Sequence, residues 1–131
     1  MREFFKIGDK KEHPFQVKVQ DVAHFEQQAV HDVCATFTLA REIEWASRLF
    51  VLDMLEEGEE GIGTHLTIEH LSPALLGDEV IIVAEYAGIE EREIICEFEV
   101  KVGDRIVAKG TTGQKILQKE KLAKIFDQLS K

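Results

Sequence analysis

Two cysteines in 131 residues, Cys34 and Cys96, lie far apart and make neither metal-ligand nor disulfide-framework spacing. So sparse a use of thiols fits a reduced, cytoplasmic setting. No stretch approaches the roughly 18 consecutive apolar residues that a membrane span requires. The opening Met1-Arg2-Glu3-Phe4-Phe5-Lys6 is too short and too charged for a signal peptide. Internal repeats, linkers and low-complexity segments are absent, so one domain over residues 1–131 is expected. Positive charge is also scarce. The formal net charge of −9 repels phosphate backbones and argues against nucleic acid as a partner. The lysines that do cluster, Lys115, Lys119, Lys121 and Lys124, read as the solvated face of a terminal helix, and a few local Lys or Arg residues could still hold an anionic ligand.

What is present is ordinary for a soluble globular chain: 44% hydrophobic and 31% charged residues, with enough length to bury a core. One long helix is legible from about Thr36 to about Glu57, with Gly58 as its expected C-cap. Leu39, Ile43, Ala46 and Phe50 recur three and four apart, the spacing of one buried stripe. Thr36, Ala40 and Glu44 stack beside that stripe, four apart, and make a polar slot along its edge.

Before the helix, a polar lead-in turns at Gly8-Asp9. A half-buried strand carries Phe15, Val17 and Val19 inward, and residues 21–33 read as a long loop. After the helix come strands over Thr64 to Leu71, Glu79 to Tyr86, Ile94 to Val102, and Arg105 to about Leu117. Gly88 is read as turn, Gly103-Asp104 as a tight hairpin, and residues 119–131 as a C-terminal helix. Short connections force antiparallel pairing, and a helix held on one face of such a sheet is an α+β architecture.

Chemistry concentrates on few residues. Leu66, Ile68 and His70 share one strand face, which puts His70 at the far end of the apolar side, while His65 faces the other way. His70 is either a core-edge histidine or a base. The two histidines cannot chelate together and no HExxH pattern exists, so no metal site is expected. Glu44 is either an exposed acid or one that needs a partner beside apolar surface. Thr36 reads as an N-cap or as a hydroxyl at the positive end of the helix. Cys34 shares that position but has no base placed for it. A hydroxyl, a carboxylate and an imidazole converging where the helix meets a strand end suit acyl transfer.

Several stretches resemble the hotdog-fold acyl-CoA thioesterases, and among them those similar to fluoroacetyl-CoA thioesterase: Val33-x-Ala35-Thr36, Glu44-Trp45-Ala46, and Gly61-x-Gly63-Thr64-His65-Leu66 with His70 following. The resemblance covers roughly residues 5 to 118. It implies a hotdog fold, an antiparallel sheet wrapped around the central helix and paired as a homodimer or dimer of dimers. It implies catalytic roles for Thr36, Glu44 and His70, and a thioester pocket lined by Gly63. Three positions depart from the family pattern. Thr112 stands where the family has a histidine in the last strand. Gln114, in Gly110-Thr111-Thr112-Gly113-Gln114, stands where the family has an arginine on the substrate side. Val30 stands where the fluoroacetate-specific enzyme has an aromatic lid residue, so a short or medium acyl-CoA is the expected substrate, with no cofactor. A non-catalytic acyl-CoA binding module is the alternative, motivated by Thr112 and Gln114. The Asp and His pair of the hotdog hydratases is not found.

Overall fold

The computed structural model describes residues 1–25 and 28–131, and the side chains of residues 1–22 and 32–131. Helix α1 spans Thr36–Met54. Leu39, Ile43, Ala46 and Phe50 have no exposed surface, as their spacing requires, and Val51 and Met54 join them. Each large side chain buried here contributes about 1.5–3 kcal/mol. The helix ends at Leu55, one turn before Gly58. Gly58 instead takes a left-handed φ of +84° in the turn that follows, a conformation cheap only for glycine.

Strands β1 (Lys10–Gln16), β4 (Glu59–His70), β5 (Glu79–Glu90), β6 (Glu93–Val102) and β7 (Arg105–Gln118) form one sheet. Their spatial order is β1-β5-β6-β7-β4, antiparallel throughout. The inner face carries rows such as Leu66–Thr112–Cys96–Tyr86 and His70–Ala108–Val100–Ile82. Its buried members close around α1 in a single core. This is the expected α+β hotdog arrangement, with β1 and β4 at the two edges of the sheet. The C-terminal helix α2 (Lys119–Leu129) buries no residue. No described helix is long and apolar enough to cross a membrane.

Four local expectations are corrected. The first strand begins earlier and ends at Gln16, before a short 3₁₀ turn over Val19–Asp21 that leaves Val19 exposed. Lys11 made this stretch look polar. Its ammonium lies 5.4 and 5.6 Å from the centroids of Phe5 and Phe50 and pairs with Asp53 at 2.8 Å, so a lysine stem can face the core. The lead-in is tied down: Phe5 packs edge-on against Phe50, with centroids 4.8 Å apart, and the Arg2 amide donates to the Met54 carbonyl. Within residues 21–33, Val22–Phe25 (β2) and Gln28–Cys34 (β3) pair antiparallel instead of forming a loop. Backbone pairing there does not depend on an alternating pattern. Finally, β4 starts five residues early at Glu59, and Gly88 lies inside β5 at a register shift.

Gly110 is needed where two strands approach too closely for any side chain. A Cβ at this position would lie 1.9 Å from the Thr67 carbonyl oxygen and 2.9 Å from the Phe98 ring. Gly110→Ala is therefore expected to cost at least about 2–3 kcal/mol, read as a fall in the midpoint of urea unfolding. A midpoint matching wild type would refute the close approach.

Glu59 is 3% exposed and joins three elements. Burial alone would raise its pKa. Hydrogen bonds from the Met1 ammonium, the Glu56 amide and Arg92 outweigh that and hold the carboxyl at about 2. A depressed carboxylate stabilises the fold above its unfolded value near 4.5, and that contribution is lost as pH falls toward 2. Glu59→Gln should flatten the pH dependence of stability across this window. An unchanged acid limb in the variant would contradict the assignment.

Candidate active site

The hydroxyl of Thr36 and the ring of His70 meet. Thr36 is the first residue of α1, but the N-cap is Ala35 and no side chain caps the helix. The expectation that Thr36 caps is thus corrected: its Oγ1 lies 3.3 Å from His70 Nδ1, in a solvent-exposed contact. His70 closes β4 on the side that faces α1, four residue-pairs beyond Leu66, and is itself exposed.

Glu44 sits elsewhere along the same helix. Eight residues at ~1.5 Å rise place it about 12 Å from Thr36 along the axis. Its carboxylate lies beside Gly63, where a Cβ would stand 3.4 Å from Oε1. Within one chain, then, Thr36 and His70 form one pair, and Glu44 and Gly63 form another.

A bulge makes this geometry possible. Residues 63 and 70 are an odd number apart, so a regular strand would send them to opposite faces. The register of β4 against β7 shifts between Gly63 and His65, which pairs Gly63 with Gln114 and His65 with Gly113. The extra residue, Thr64, restores parity, so Gly63 and His70 both face α1.

Around Glu44 the surface forms a cleft of about 410 Å³, lined by His13, Arg41, Glu42, Trp45, Arg48, Gly63 and Gln114. Gln114 Nε2 donates to the Glu44 carbonyl at 3.0 Å, tying β7 to the helix. His13 Nε2 and Glu42 Oε2 are 2.9 Å apart. Arg48 donates to the Gly61 carbonyl and to Glu60. Sequence reasoning missed His13, Glu42 and Arg48 as cleft residues. The inward parity of Phe15, carried back two positions, would have found His13. Val30, expected on the substrate side, has its side chain outside the described residues.

Two other features are less suited to chemistry. A larger concavity of about 610 Å³ lies on the outer sheet face, among Glu69, Glu85, Glu97 and Glu99. It contains none of the candidate residues, and its four glutamates outnumber Lys10 and Lys109, a net negative lining that disfavours an anionic ester. Cys34 is buried, and burial first, with Asp21 adding to it, pushes its thiol up to about 12. A thiol in that state supplies no thiolate nucleophile. Thr112, one of the two departures noted in the last strand, donates to Ser47 Oγ at 2.8 Å inside the core, a structural bond between sheet and helix.

The fold recurs in solved structures. A hypothetical protein of Thermus thermophilus, described as a thioesterase superfamily member, is 32% identical with a TM-score of 0.91, over 98% of this chain and 95% of that one. Fluoroacetyl-CoA thioesterase matches with a TM-score of 0.84 at 22% identity, over 96% of this chain and 98% of that one. A hot-dog-like protein from Thermanaerovibrio acidaminovorans matches with a TM-score of 0.87 at 19% identity, over 95% and 92% of the two chains. No curated protein matches the chain. The family model described as fluoroacetyl-CoA-specific thioesterase covers residues 17–120. By that match the chain belongs to the fluoroacetyl-CoA-specific thioesterase family and is a thioester hydrolase.

Proposed function

We propose that the protein hydrolyses a short or medium acyl-CoA thioester to a carboxylate and free CoA, with Thr36, His70 and Glu44 as its catalytic group. The observation that carries this reading is the hydroxyl–imidazole contact at 3.3 Å beside the start of α1, a nucleophile and base within reach of one another. His70 Nδ1 takes the Thr36 proton as Oγ1 attacks the thioester carbonyl. The tetrahedral oxyanion is received by first-turn amides of α1, aided by the positive end of the helix dipole. The C–S bond breaks and the departing thiolate takes the proton from His70. Water, deprotonated by the same ring, then attacks the acyl ester on Thr36, and as the carboxylate leaves the ring returns that proton to Thr36 Oγ1. Fluoroacetyl-CoA thioesterase is a family relative, and structures of it hold CoA with fluoroacetate and, in another case, acetyl-CoA. A CoA ester as the substrate here rests on that likeness.

Glu44 completes the group through a second copy of the chain. Strand β4 is an edge of the sheet, and its free hydrogen-bonding groups need cover. Antiparallel pairing of two β4 edges about a two-fold axis near Leu66 and Thr67 sets Gly63 of one copy opposite the partner's His70. Glu44, beside Gly63, then reaches the partner's His70 and stabilises the imidazolium. This arrangement makes the working unit a homodimer.

Thiol release across a panel of acyl-CoAs tests the activity. His70→Ala should lower turnover by ~10²–10⁴-fold, the usual contribution of a positioned acid–base group. Near-wild-type turnover in folded H70A, or saturable CoA-ester binding with no thiol release by the wild type, would overturn the reading. The shared site has its own test. Glu44→Ala and His70→Ala dimers are each inactive, but mixing them with subunit exchange should restore about one quarter of wild-type activity, from one intact site in half the dimers. No recovery in verified mixed dimers would reject the division of the site between copies.

A further inference from the structure

Gln114 Oε1 is the one buried side-chain oxygen or nitrogen without a hydrogen-bond partner among the described residues. The residue is 4% exposed and lines the cleft that holds Glu44 and Gly63. Which end of its amide is which follows from the partner of the other end. The Glu44 carbonyl can only accept, so the atom 3.0 Å from it must be the donating Nε2. Oε1 is left as a buried acceptor that calls for a donor.

The charged neighbours in the cleft have other partners, Arg41 lying 3.4 Å from Glu42 and 3.7 Å from Asp21. Arg48 is held by the Gly61 carbonyl and Glu60, and His13 by Glu42. A thioester carbonyl cannot satisfy Oε1, since it too is an acceptor, and a plain alkyl or fluoroalkyl chain offers no donor either. Gln114 pairs with Gly63 in the β4–β7 register, so the acceptor lies at the buried end of the cleft beside the proposed thioester position. That end suits the acyl group, because the nucleotide end of CoA must remain in solvent.

We infer that the cleft selects acyl groups carrying a hydrogen-bond donor, a hydroxyl above all, which Gln114 Oε1 accepts. The inference rests on the thioesterase reading above and deepens it by naming the acyl class. A hydroxyl that reaches Oε1 gives the buried acceptor the partner it lacks. An isosteric methyl buries the acceptor unpaired, and a site built around a polar partner discriminates strongly against the analogue that lacks it.

The experiment compares thiol release for two matched pairs with the wild-type protein: lactoyl-CoA against isobutyryl-CoA, and β-hydroxybutyryl-CoA against isovaleryl-CoA. In at least one pair the hydroxylated ester should be favoured by about 10–100-fold in kcat/KM. Gln114→Leu, or Gln114→Met if the leucine variant does not fold, should reduce that preference to less than about threefold. Thiol release without preference in either pair overturns the inference and leaves the thioesterase reading standing. Release from none of the four esters removes the reading and the inference together. A preference that survives in the folded variant overturns the assignment to Gln114. An equal loss on all four esters in the variant reports only the lost tie to the Glu44 carbonyl, and overturns the assignment to the acyl group.

Discussion

Everything in this fold depends on α1 lying inside the curve of the sheet with its apolar stripe fully excluded from water. Leu39, Ile43, Ala46 and Phe50 leave no exposed surface, and the strands that cover them contribute Ile82, Val100, Val107 and Ile116. Hydrophobic burial is non-directional, so by itself it would let the helix rotate or slide on that surface. Two polar contacts remove this freedom. The Thr112 hydroxyl bonds to Ser47 within the core, and the Gln114 amide bonds to the Glu44 carbonyl one helical turn away. Buried hydrogen bonds of this kind have a strict geometry, so they set the register of helix against sheet to within a fraction of an ångström.

That register decides what the helix presents at its edge. Residues on the Thr36–Ala40–Glu44 row run along the border between the buried stripe and water, and β4 passes beside them. The start of the helix meets the end of the strand at His70, while Glu44 meets the strand near its middle at Gly63. The two departures from the family pattern in the last strand have different consequences. Thr112 is used up in holding the helix. Gln114 holds the helix with one end of its amide and leaves the other end buried without a partner.

Charge is distributed so that an acidic chain can still receive an anionic ester. The outer sheet face carries Glu69, Glu85, Glu97 and Glu99 against Lys10 and Lys109, whereas in the cleft Arg41 and Arg48 offset Glu42 and Glu44. A net charge of −9 says nothing of this separation, because the steering field depends on where charges sit, and alternating strand residues sort the glutamates to the outside.

Local periodicity made the helix, its buried face, the hairpin at Gly103-Asp104 and the α+β class legible, since each follows from neighbours three, four or two residues apart. The motif resemblance added the hotdog arrangement and the candidate residues Thr36, Glu44, His70 and Gly63. Long-range pairing decided the rest. Lys11 and His13 face the helix because β1 is registered against β5. Val22–Phe25 and Gln28–Cys34 pair as strands although no alternation marks them. One inserted residue at Thr64 turns Gly63 to the same side as His70. A chain's own pattern reports which side chains avoid water, but not which distant backbone a strand will bond to. Bulges, edge exposure and the meeting of Thr36 with His70 are set by that second choice, and only the folded molecule makes it.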